Sequence, residues 1–132
     1  MKYSRFEELP VWKDAVQLAR SAFELTRHES FHHQYSLVDQ LVRAALSISN
    51  NIAEVFERGT TRELMQFIHY AKGSAGEVRS MCHVLHGLVG FETIKDKVAN
   101  LLSLSESIGK QLGAWAASQR SSRINGSRYA QP

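Results

Sequence analysis

Apolar residues recur at helical spacing in four separate stretches, and this periodicity most constrains the fold. In the last stretch the spacing alternates between four and three residues, which is the heptad seam of a packed helical bundle. That seam consists of Ile94, Val98, Leu101, Ser105, Ile108, Leu112 and Trp115. No stretch shows the two-residue alternation of a half-buried strand, and neither proline, at positions 10 and 132, falls inside the pattern. The sequence therefore predicts an all-α protein.

Local signals predict where the helices begin and end. Gly59 follows the second apolar stripe, as glycine often does just past a helix C-terminus. Thr60 and Glu63 have the spacing of a capping box, which satisfies free N–H groups at a helix start. The predicted helices span about 10–28, 34–57, 60–89 and 93–118.

Short connections between these helices favour an antiparallel up-down four-helix bundle. Two long helical hairpins exchanged between chains would fit the same pattern. Helix 1 carries a second apolar line beside its first, which predicts burial on two sides. That second line is Trp12, Val16, Ala19 and Phe23.

The charge of the chain is unevenly distributed. The net charge is +3, but three of the sixteen basic residues, Arg120, Arg123 and Arg128, lie in the last fourteen positions, which hold no acid. Residues 1–118 are therefore neutral overall, which weakens an argument for nucleic-acid binding from net charge. We expect a bundle domain over 1–118 and a basic, disordered tail over 119–132.

The chain has the features of a cytoplasmic protein without a membrane partner. No apolar run approaches the ~18 residues of a membrane span, and the first residues lack the apolar core of a signal peptide. The single cysteine, Cys82, cannot form an internal disulfide. It falls on the inner face of helix 3, which predicts a small buried hydrophobe.

A set of residues spread over roughly 6–116 follows one recognisable pattern: Phe6, Leu9, Val11, Trp12, Ala15, Gln40, Arg43, Ala44, Ala45, Ile48, Asn51, Ile52, Ala53, Glu54, Arg58, Glu63, Phe67, Ala71, Gly73, Ser74 and Glu77. In these residues the chain resembles a bacterial four-helix-bundle family that includes proteins encoded in intervening sequences of 23S rRNA genes. Val55 departs from the pattern, where glycine is usual, and so does Val42, where a second arginine is common.

The resemblance implies a homopentamer of four-helix bundles. The family is also similar to the accessory variability protein of diversity-generating retroelements, which works with a reverse transcriptase and binds nucleic acid. The implied partners are therefore further copies of the chain, RNA or DNA, and a reverse transcriptase. The family pattern supplies no catalytic residues.

One side of helix 3 carries a basic stripe opposite its apolar face. At 100° per residue the stripe contains Arg62, His69, Lys72, Arg79, His83 and His86. Lysine and arginine position a phosphate backbone without reading sequence, although a solvated outer face has the same pattern. Arg62, Lys72 and Arg79 are the predicted main nucleic-acid contacts, with Arg43 and Arg58 in support.

Gly73 and Gly76 lie in this stripe and would allow close approach of a neighbouring helix or a ligand.

The remaining polar residues predict structural roles. We expect Gln40 and Asn51 to be buried or half-buried, and Arg43 to pair with Glu54 or Glu77 between helices. No paired acids indicate a reaction centre, and the six histidines lack metal-ligand spacing such as HExxH. We therefore predict no catalytic residues, no metal and no cofactor.

The function these features favour is a non-catalytic oligomeric scaffold that binds RNA or DNA, acting as an accessory factor. The alternative is a structural or protein-interaction module that binds no nucleic acid.

Overall fold

The computed structural model describes residues 3–58, 61–124 and 131–132. Its four α-helices are α1 (Pro10–Leu25), α2 (Tyr35–Arg58), α3 (Thr61–His86) and α4 (Lys95–Ile124). Single 3₁₀ turns at Phe6–Glu8, Glu29–Phe31 and Glu92–Ile94 precede α1, α2 and α4. No strand occurs in the described ranges, so the predictions of an all-α chain and of four helices are confirmed.

Two helices end earlier than predicted, at Leu25 and His86, and each is followed by a hydrogen-bonded turn. After α1, the Thr26 hydroxyl donates to the carbonyl of Phe23 at 2.9 Å. After α3, Gly90 takes a φ of +96°, and its N–H donates to both carboxylate oxygens of Glu92, at 3.1 and 3.0 Å. Such a φ suits glycine, which turns the chain towards α4 here. The predicted stop at Gly59 and the Thr60 cap lie outside the described residues.

Helix α4 extends beyond 118, where we expected the domain to end. It continues to Ile124, and Gln119 is only 1% exposed. Gln119 stands four residues after Trp115, so it continues the heptad seam, and its polar character hid that continuity in the sequence. Near the C-terminus, the Gln131 side chain accepts from the Tyr3 N–H at 2.8 Å and donates to the Tyr3 carbonyl at 2.7 Å. Residues 125–130 of the expected tail lie outside the described part of the chain.

The four helices share one apolar core. α1 packs against α2 and α4, and α3 packs against α2 and α4. All seven residues of the predicted α4 seam are buried, as is the predicted inner face of α3 except for half-buried Phe67. Burial of this surface is the main force that holds the helices together, at about 25 cal/mol per Å² of apolar area.

The second apolar line of α1 is less buried than predicted. Only Ala19 is fully buried, Trp12 and Val16 are half-buried, and Phe23 is 41% exposed. Helices α2 and α4 both pack on the first apolar line of α1. The side chains of its second apolar line therefore lie at the edge of the core.

Polar side chains form hydrogen bonds both between helices and along them. The Ser74 hydroxyl of α3 donates to the Ser47 hydroxyl of α2 at 2.9 Å. Asn51 is half-buried as predicted, and its amide donates to the carbonyl of Ser47 at 2.7 Å. The prediction for Gln40 was wrong: its side chain is exposed and donates to the Ser36 hydroxyl one turn earlier on the same helix. No helix among the described residues is long and apolar enough to cross a membrane.

Candidate nucleic-acid interface

The predicted basic stripe forms an exposed face of α3. All six of its members are exposed, while Ile68, Ala71, Ala75 and Val78 on the other side of the helix are buried. Arg62 and Arg79 are seventeen positions apart, which corresponds to about 26 Å along a helix at 1.5 Å per residue. We call this surface, formed by Arg62, His69, Lys72, Arg79, His83 and His86, the basic face.

The three strong cations of the basic face have no acidic partner. Among the described residues, no carboxylate lies within ion-pairing distance of Arg62, Lys72 or Arg79. An unpaired exposed cation keeps its full charge available to an anion from solution, whereas a paired one must first give up its carboxylate.

A groove of about 590 Å³ runs between α3 and α4 beside the basic face. From α3 it is lined by Lys72 and Arg79, which the sequence predicted as phosphate contacts, and by His69. From α4 it is lined by Lys110 and Glu106, which sequence reasoning missed. The spacing of α4 gave no signal for Lys110, since it stands two positions, or about 200° around the helix, after the buried Ile108 and so on the face opposite the seam. Arg62 lies outside the groove lining.

Glycines form much of the floor of this groove. A Cβ added at Gly73, Gly76 or Gly109 would meet no atom within 4 Å. At Gly113 it would meet only the end of the Lys72 side chain, with the ammonium nitrogen 3.7 Å away. Within the chain, therefore, no helix packs closely on Gly73 or Gly76, and the helix contact that the sequence suggested for them is not made between α3 and its own neighbours.

The supporting arginines lie elsewhere and are paired. The Arg43 guanidinium lies 3.2 Å from Asp39, so the predicted pairing with Glu54 or Glu77 was wrong. Glu54 instead accepts from Arg58 at 3.0 Å, and this hydrogen bond raises the pKa of Arg58 above its usual value. The guanidinium of Arg58 also lies 5.5 Å from the centre of the Phe67 ring, within cation–π range. Both arginines point along α2 and neither lines the groove.

The histidines near α2 interact with aromatic rings. The rings of His32 and His33 meet edge to face with centres 4.0 Å apart, and His33 Nδ1 lies 3.1 Å from the Tyr35 hydroxyl. Within the described ranges, no three histidine, cysteine or acidic side chains converge as metal ligands would.

Cys82 is fully buried, as predicted. Burial raises the pKa of its thiol to about 12, because a thiolate would be charged in an apolar core. The thiol therefore stays protonated near neutral pH and packs as a small apolar group.

These features define a class: a small protein of four α-helices with an exposed cationic face and a glycine-floored groove. The model of the 23S rRNA-intervening sequence protein family matches residues 7–114, and the chain belongs to this family. No curated protein and no solved structure matches the chain at a significant level.

Proposed function

We propose that this protein is a non-catalytic oligomeric scaffold that binds RNA or DNA through the basic face of α3. The observation that carries the proposal is the row of exposed cations at Arg62, Lys72 and Arg79, none of which forms an ion pair within the described part of the chain. These three are the main phosphate contacts. Arg43 and Arg58 contribute less, because each already lies against a carboxylate of its own helix.

We also infer an antiparallel up-down arrangement of the helices and assembly as a homopentamer. The arrangement is supported by the two-residue connection, 59–60, between α2 and α3, which pack against each other. The pentamer rests on the family resemblance, as does the role of accessory factor to a reverse transcriptase in the cytoplasm. A ring would repeat the basic face in every subunit and so multiply weak phosphate contacts on one strand.

A second candidate function is a structural or protein-interaction module. It is favoured by apolar side chains that remain exposed, such as Val84 at 60% and Val89 at 88% near the end of α3. The zero net charge of residues 1–118 also fits this candidate.

The test is to replace Arg62, Lys72 and Arg79 together by alanine and to measure binding of RNA and DNA at several salt concentrations. Each phosphate contact contributes roughly 0.7 to the slope of log affinity against log salt for single strands, so the slope should fall by about 2. The matched control replaces Lys13 and Arg20 on α1, which are exposed and outside the basic face.

Unchanged affinity and slope in the triple variant would overturn the assignment of these residues. Failure of the native protein to bind any nucleic acid at low salt would overturn the proposed function and favour the interaction module.

A further inference from the structure

We propose that the groove between α3 and α4 holds the backbone of single-stranded nucleic acid, with Lys110 of α4 as a contact opposite Lys72 and Arg79. This inference rests on the proposed function. It goes further by naming the site, the strandedness of the ligand and a binding residue on a second helix.

The charge of the groove favours a polyanion. Its two walls supply three strong cations, Lys72 and Arg79 from α3 and Lys110 from α4, against one carboxylate, Glu106. In the described part of the chain none of the three cations forms an ion pair. The ammonium nitrogen of Lys72 lies 3.7 Å from the position that a Cβ at Gly113 would take, so this side chain reaches from α3 to α4 across the groove.

The glycines favour a ligand that approaches the helix backbone. Gly73, Gly76, Gly109 and Gly113 all stand inside helices, where each costs about 1 kcal/mol relative to alanine. The packing within the chain does not require them, because three of the four could carry a Cβ without touching any atom. All four glycines line the groove, and because they carry no side chains they leave space open between α3 and α4.

The dimensions favour one strand over two. Axes of packed neighbouring helices lie roughly 8–10 Å apart, so the groove between them is narrow. A nucleic-acid duplex is wider than its own major groove, which measures about 12 Å. It could therefore touch only the rim of the groove between α3 and α4. Lys72 and Arg79 are about 10 Å apart along the helix, so both can contact phosphates of one strand that runs along the groove.

The test fills the groove without changing charge, by Gly76→Leu together with Gly109→Leu. Leucine is a good helix former and both sites have open space, so the variant should melt no lower than the native protein. Fluorescence anisotropy with labelled oligothymidylate should show roughly a tenfold or greater loss of affinity, whereas a duplex of equal length should lose much less. The matched control is Gly87→Leu, since Gly87 is exposed, has open space and lies outside the groove. The affinity of this variant for oligothymidylate should be unchanged.

Lys110→Glu is the second variant, because it leaves the groove open and its surface position keeps folding intact. It should weaken binding of the single strand and lower the salt slope, whereas Lys13→Glu on α1 should do neither.

The outcomes separate this inference from the proposed function. If the Arg62, Lys72 and Arg79 variant loses binding while the leucine pair and Lys110→Glu retain it, the inferred binding site in the groove is wrong. The proposed binding by the basic face is then still supported. If the leucine pair changes the subunit number in light scattering and leaves affinity intact, the groove receives a second copy of the chain and the inference is overturned. If the native protein binds no nucleic acid, both proposals fail.

Discussion

At the scale of single residues, the immediate neighbours of each cation decide what it can do. Arg58 lies between Glu54 and the Phe67 ring, and Arg43 lies against Asp39, so both charges are already compensated. Lys72 and Arg79 are also exposed basic residues, but among the residues that the structure describes no carboxylate lies within ion-pairing distance of either. The sequence could not separate these two groups, because both kinds of cation stand on an outer helix face and pairing depends on rotamers and on the acid one turn away.

Cys82 supports a prediction about pH. Its thiol has a pKa of about 12 in the folded state against 9.0 when unperturbed. Between these values the unfolded thiol ionises while the folded one keeps its proton, so the unfolded state binds fewer protons. The free energy of unfolding should therefore fall as the pH rises through this window, by up to about 1.4 kcal/mol per pH unit from this group.

The measurement is urea unfolding of the native protein and of Cys82→Ala near neutral pH and at alkaline pH. The alanine variant is less stable at neutral pH because of its cavity, but it should lose less stability than the native protein as the pH rises. Equal losses in the two proteins would contradict a strongly raised thiol pKa.

At the scale of helices, α4 shows how far periodicity can be followed from sequence. The seam from Ile94 to Trp115 was predicted position by position and is buried throughout. The next position, Gln119, is equally buried but polar, and the residues around it are serine and arginine. The composition of these residues therefore suggested a disordered tail. In the structure the helix instead continues through them, because Gln119 packs in the core.

Ending the chain after residue 118 tests this boundary. Removal of Gln119 and of the turn around it uncovers Trp115, so the free energy of unfolding should fall by about 1–2 kcal/mol. Thermal or urea unfolding would measure the change, with Arg120→Ala, an exposed substitution in the same turn, as the control. An unchanged stability would show that the bundle ends at 118, as composition suggested.

At the scale of the whole molecule, several exposed features remain uncovered by the single chain. Phe23, Tyr70, Val84 and Val89 are exposed apolar or aromatic side chains. Isolated exposed apolar residues are ordinary, but an assembly would cover some of them. The homopentamer proposed above from the family resemblance predicts five copies of the chain.

The expected mass in light scattering is therefore five times that of the 14.9 kDa chain. Addition of a single-stranded oligonucleotide should raise this mass further if the basic face is repeated around a ring. A measured mass equal to one chain that does not change on dilution would contradict the homopentamer. Binding by the basic face would still be tested separately, by the variant at Arg62, Lys72 and Arg79.

The sequence by itself determined the fold class, the four helices, the buried seam from Ile94 to Trp115 and the grouping of cations on one side of α3. These follow from a helical period of 3.6 residues, which relates each position to its neighbours on the same helix. Only the tertiary structure decided that α4 brings Lys110 and two glycines opposite Lys72 and Arg79, because residues about forty positions apart meet through the packing of two helices. For the same reason, the open space above Gly73 and Gly76 became visible only once all four helices were in place.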